Sequence, residues 1–445
     1  MKMISLLMAA LLQDPKPVSF AGDVAPILKA NCAGCHNPQK AKGRLDLTTY
    51  AMLRQGGEQG DPIVPGDPDR SFLIEQISGA EPAMPDDGDP LKPEQVALIA
   101  RWIKEGARDD SPAAPAARRS APELYDALPV VSKLAFSPDG KVLAVTGYHE
   151  VLLHRADGSG IVARLGGASP RIQSLAFSAD GKRLAVCGGA PAEFGEIQLW
   201  DVEAGKPAGA YKIGRDVLFG VSFSPDGARV AFAGPDKVVR VIAAADGAEQ
   251  VAFGNHTDGV FATAFTTDGK RLVSASKDRA IKLIDLSNGQ FIDDINKLLE
   301  PVLSMARHPK ADQVVYGGAL GTPRIYKISD NQGRTAANND TNLLRELERQ
   351  PGPVEAVAWS PDGSKVAVGG VGAEARVYNA GDGKRLATLG GHGGAVFAIA
   401  FHPDGGRIAT GGFDGQVRIF EAADGKLVTS FPSAPLKAPK QAKSE

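Results

Sequence analysis

The chain reads as two domains, a small all-α domain followed by an all-β propeller of seven blades. Three observations predict this. A hydrophobic strand closing on Phe-Ser-Pro-Asp-Gly, or a relative of it, recurs at Phe136, Phe177, Phe223, Phe265, Arg307, Trp359 and Phe401. Residues 18–107 lack that repeat and carry apolar residues at helical spacing around the pentapeptide Cys32-Ala33-Gly34-Cys35-His36. Between the two, residues 108–122 are rich in Ala and Pro without hydrophobic periodicity and read as a semi-stiff linker.

At 445 residues, with 43% hydrophobic and 23% charged residues, the chain is long enough for two or three ordinary globular cores. The formal net charge of −2 provides no global field to recruit nucleic acid or an anionic membrane. Three cysteines, two of them in one pentapeptide, exclude a disulfide framework. Met1 to Leu12 hold one Lys and an apolar run too short to span a bilayer. Residues 1–17 are therefore expected to be an export signal peptide or N-terminal anchor, and any membrane contact is expected only through that segment left uncleaved.

In the first domain, Ser19 opens a helix with Asp23 in its first turn and Val24, Ile27 and Leu28 on one face. Gly43 to Leu47 and Gly56 to Gly60 read as loop and turn, and Asp61 to Asp69 as irregular chain. A closing helix begins at Pro93, buries Val96, Ile99, Ala100 and Ile103 with Trp102 beside them, and ends at Gly106.

C-x-x-C-H at Cys32, Cys35 and His36 is the attachment signature of c-type haem. Two thiols bond the porphyrin vinyl groups and the adjoining imidazole coordinates the iron. A zinc site needs two more ligands, and no other Cys or His occurs in the first 148 residues. Thiol exchange needs a βαβ setting, which is absent. For the sixth iron position Met84 is the candidate, in the proline-flanked loop Pro82-Ala83-Met84-Pro85 ahead of the closing helix. Met52, in an amphipathic stretch, reads as packing.

The pattern Ser19-Phe20, Val24-Ala25-Pro26-Ile27-Leu28, C-x-x-C-H and Gly43-Arg44-Leu45-Asp46-Leu47 resembles the c-type cytochrome domain of many planctomycete proteins. So does its continuation through Gly56-Gly57, Ile63-Val64-Pro65-Gly66-Asp67-Pro68, Met84-Pro85 and Trp102-Ile103. The resemblance implies a small helical domain with one covalent haem c, held by Cys32 and Cys35, with His36 and Met84 as axial ligands. Asp86 stands where the family usually has a second proline.

The seven repeats follow at intervals of 41, 46, 42, 42, 52 and 42 residues. Each offers four strands in the span of a propeller blade. The repeats resemble WD40 units, with the eponymous dipeptide at Trp200-Asp201 and its place taken by Ile284-Asp285, Tyr378-Asn379 and Phe420-Glu421. The resemblance implies buried networks of His392 with Thr410 and Asp414, and of His256 with Ser276 and Asp278. The fold class is thus a small all-α c-type cytochrome followed by an all-β seven-bladed WD40 propeller over residues 123–432. Either Leu124 to Leu128 or Leu427 to Phe431 could close the ring as its outermost strand. Residues 433–445, rich in Pro and Lys, read as a disordered tail. The long fifth repeat carries its surplus at Ser329 to Asn342.

His149 and His154 are the histidines left over, too few for a second metal centre, and Cys187 reads as a core residue. The leading functional reading is an exported carrier of one electron, on the periplasmic or cell-surface side. Its propeller docks a partner protein, and its redox partner is a second protein. A redox enzyme with a propeller-bound site and a haem-based redox sensor stand as the alternatives.

Overall fold

The computed structural model describes residues 17–37, 40, 42–86, 88–111, 121–167, 169–297, 299–329 and 340–438. The expected signal peptide or anchor over 1–17, save its last residue, the middle of the linker, most of the long fifth-repeat loop and the end of the tail fall outside them. Two compact units divide at Ala114/Pro115.

The first unit is small and helical, with four α-helices among the described residues. Ser19 caps a π-helical turn, Phe20–Val24, by accepting from the Gly22 N–H at 2.8 Å. That turn leads into α1, Ala25–Asn31. Then come α2, Tyr50–Gln55, α3, Phe72–Ile77, and α4, Pro93–Lys104. Their apolar faces meet in one core of Phe20, Val24, Leu28, Leu53, Ile77, Ile99 and Ile103 around Trp102. The Trp102 ring lies 5.2 Å from Phe20, with Tyr50 edge-on to both. Trp102 thus sits at the centre of the core rather than beside it. Asp110 accepts from the Ala21 N–H at 2.8 Å and the Arg108 carbonyl from the Trp102 indole at 3.0 Å. The start of the expected linker therefore belongs to this unit.

The second unit is a seven-bladed β-propeller of four-stranded antiparallel sheets, each ordered as in the sequence. Blades 1 to 7 open with the strands Leu134–Phe136, Arg171–Phe177, Gly220–Phe223, Val260–Phe265, Val302–Arg307, Val354–Trp359 and Val396–Phe401. These opening strands neighbour one another around the axis. Second and third strands are buried on both faces, as Arg183–Ala190 is, because each sheet packs between two others. Cores are shared across blades: Leu143 and Val145 of blade 1 join Ala409 and Ile419 of blade 7.

The recurring turn has a common chemistry. Ser137 Oγ donates to Asp139 at 2.6 Å and accepts from the Val142 N–H at 3.0 Å, while Gly140 takes φ +71°. Ser178, Ser224, Thr266 and Ser360 repeat the pattern. A β-bulge between third and fourth strands also recurs in every blade, at Trp200 in blade 2 and at His154, Ile284, Tyr378 and Phe420 in equivalent places.

Closure settles the question the sequence left open. Leu427–Pro432 is the fourth strand of blade 7, and 124–128 forms no strand. Tyr125 instead makes a parallel bridge to Leu436, with N–H···O contacts to Pro435 and from Lys437 of 2.8 and 2.9 Å. Ser433 and Ala434 are buried, and the Ser433 carbonyl meets His154 Nε2 at 3.0 Å. The expectation of a disordered tail from 433 onward is corrected for Ser433 to Lys437, which pack against the start of blade 1.

Candidate functional site

α1 delivers the pentapeptide. Cys32 takes the C-cap position, its N–H bonded to the Leu28 carbonyl at 2.9 Å, and the chain turns so that His36 N–H reaches the Cys32 carbonyl at 3.0 Å. Leu47 N–H then bonds the His36 carbonyl at 3.0 Å, tying the following loop to the turn. Both thiols are free and half-buried, and burial pushes the Cys32 thiol up to about 11. A raised thiol disfavours thiolate exchange chemistry and suits a sulfur held in an apolar setting. The His36 ring has no hydrogen bond among the described residues, and its Nδ1 is enclosed without a partner. A buried imidazole nitrogen left unpaired is costly unless something else completes its surroundings.

Met84 is held by its own N–H, which bonds the Gln76 carbonyl in α3 at 2.9 Å. Its half-buried side chain packs against the same core as Cys32. Met52, in α2, is absent from that set. Asp86 turns outward to Lys42 at 3.5 Å. Near the site the glycines are needed: Gly56 has φ +72°, and a Cβ there would stand 2.2 Å from the Gly60 carbonyl oxygen. Cys32 and the Met84 thioether on one core, with the free Cys35 thiol and the unpartnered His36 imidazole in the adjoining turn, form a donor set that fits haem c. Among the described residues, no three His, Cys, Asp or Glu side chains cluster for a separate metal ion, and no helix is long and apolar enough to cross a membrane.

In the propeller, His256 bridges Asp278 and Ser274, each at 2.8 Å. The expected partner Ser276 instead donates to the Asp258 and Gly259 carbonyls. The signal was present: Thr410 precedes Asp414 by four residues, as Ser274 precedes Asp278. His392 keeps its bond to Thr410 at 2.8 Å, but Asp414 is taken by Arg418 and the Gly393 N–H, each at 2.8 Å. His402 Nε2 meets the Gly140 carbonyl at 2.9 Å and so joins blade 7 to blade 1. Cys187 is fully buried among apolar side chains.

Two charged clusters escaped the sequence reading. Glu150 is clamped by Arg164 and Tyr125, while Glu300, Arg324 and Glu346 form a chain of ion pairs in blade 5.

Residues 32–88 match the family model described as Planctomycete cytochrome C. Residues 247–285, 341–379 and 383–421 match that of the WD domain, G-beta repeat. No curated protein matches the chain. The chain thus joins a planctomycete-type cytochrome C segment to a WD40-repeat β-propeller.

Proposed function

We propose that this protein is an exported c-type cytochrome carrying one covalent haem for electron transfer, with its propeller as a protein-docking platform. The carrying observation is the C-x-x-C-H turn capping α1, with an imidazole that lacks a partner among the described residues, inside the segment that matches a cytochrome family. When bound, haem supplies one-electron iron chemistry. Cys32 and Cys35 would hold it through thioethers, and His36 and Met84 would ligate its iron. The loop pinned at Gln76 presents the Met84 sulfur, and the Trp102 core gives the ligand loops a stiff support. Two iron ligands supplied by the chain would suit electron transfer rather than substrate binding at iron.

The signal-like residues 1–17 support export to the periplasmic or cell-surface side, where haem attachment of this kind takes place. The propeller supports docking of a partner protein on a rigid scaffold, and the redox partner is a second protein. A visible spectrum of the purified full chain, with haem counted per chain, tests the reading. One low-spin haem is expected. No haem, a second haem, or a high-spin iron with an open position would overturn it.

A further inference from the structure

The axis of the propeller holds a cavity of about 770 Å³, lined by residues at or just before the opening strands of all seven blades. That size is ample for a small organic ligand. Its wall is mixed: four residues before the repeat's closing residue, Phe219, Phe261, Leu303 and Phe397 form the apolar part of one level of the ring, and Ser132, Gln173 and Glu355 complete that level. The Phe219 and Phe261 rings lie 5.0 Å apart.

Lys133 interrupts this wall. Three residues before the closing residue the other six blades have Ser, Gly or Ala, and blade 1 alone has a long cation. The Lys133 side chain has no hydrogen bond or ion pair among the described residues, and burial holds its pKa below the ordinary lysine value. Its titratable neighbour is the buried Cys187 thiol, not a carboxylate. Arg171, exposed where blade 2 begins, lines the same cavity and likewise has no side-chain partner among the described residues. Other buried charges of this propeller are paired, as Glu150 is with Arg164 and Glu300 with Arg324. The wall's single acid, Glu355, has its pKa raised by burial. An anion with a flat apolar body would satisfy both cations and cover the phenyl rings.

We propose that the axial cavity, through Lys133, Arg171 and the ring of Phe219, Phe261 and Phe397, binds a small aromatic carboxylate. This site is independent of haem and needs no chemistry at the cytochrome segment.

Titration calorimetry of the full chain with benzoate tests it, with acetate, benzyl alcohol and benzylamine as comparators. Benzoate should bind saturably at one site per chain, and the three comparators at least about tenfold more weakly, since each lacks the ring, the charge or its sign. Lys133→Ser, which installs the residue that blades 2 and 5 already have there, should weaken benzoate about tenfold or more. Arg171→Gln, at an exposed position that does not endanger folding, should do the same and decides the matter if Lys133→Ser fails to fold. Absence of saturable benzoate binding, binding unaffected by both substitutions, or tighter binding of benzylamine through Glu355 would overturn the proposal.

Discussion

Arg164→Met should destabilise the propeller by about 3 kcal/mol, the low end of the cost of breaking a buried ion pair. The Glu150 side chain is 1% exposed, and its oxygens accept from Arg164 Nε at 2.7 Å, Arg164 Nη2 at 2.6 Å and Tyr125 Oη at 2.6 Å. Without the guanidinium, a buried carboxylate keeps only the tyrosine hydroxyl. The low end applies because Arg164 is 29% exposed, so water can partly replace it. Arg164 also donates to the Pro122 and Glu123 carbonyls, so the strap leading into blade 1 loses its anchor as well. With an unfolding entropy of about 2.1 cal/mol/K per residue, a domain of this size should lose about 5 °C in Tm, read by far-ultraviolet circular dichroism. Glu150→Leu combined with Arg164→Met removes both charges and should recover much of the loss. A single variant within about 0.5 kcal/mol of the parent, or a double variant less stable than Arg164→Met, would refute the clamp.

Other expectations follow from single side chains. Burial, and then the Arg418 charge, push His392 down to about 4. Its folded-state pKa lies below the ordinary 6.5, so the neutral ring's contribution is complete above about pH 6.5 and is lost as pH falls toward about 4, up to about 3 kcal/mol in all. His392→Gln should flatten the stability profile across that window, and an unchanged slope in urea unfolding would contradict the assignment. Ser274→Ala should cost about 1 kcal/mol by orphaning His256 Nε2, and denaturant midpoints indistinguishable from the parent would count against that bond. Met84→Ala should leave haem attached but open the iron to carbon monoxide. Rapid carbon monoxide binding by the unaltered protein would remove Met84 from the iron and shift the reading toward a ligand sensor.

The propeller was legible because its signals repeat: a turn of fixed chemistry every 41 to 52 residues states the period regardless of any one strand. The cytochrome segment was legible because C-x-x-C-H joins three donors in five residues. α3 was not, since Phe72–Ile77 is too short for a helical period to register. The packed segment Ser433 to Lys437 was hidden for a different reason. Its order comes from backbone bonds to Tyr125, more than 300 residues away in the chain, and its own composition resembles an unfolded tail. Glu150 and Arg164 illustrate the same limit at shorter range. Glu150 pairs with Gly166 and Leu152 with Arg164, so the two charges become diagonal neighbours on one face only once the register is known. Within the candidate site, sequence could name Met84, but its shared core with Cys32 required the fold.

The central claim is that haem is held covalently by the pentapeptide, and haem staining of the full chain after denaturing electrophoresis tests it most directly. The unaltered protein should retain the stain through denaturation, because thioether bonds do not depend on the fold. Cys32→Ala combined with Cys35→Ala should lose it completely, while Met84→Ala and Arg164→Met should keep it. A double cysteine variant that still stains, or an unaltered protein that does not after maturation in a haem-attaching host, would contradict the account at its base.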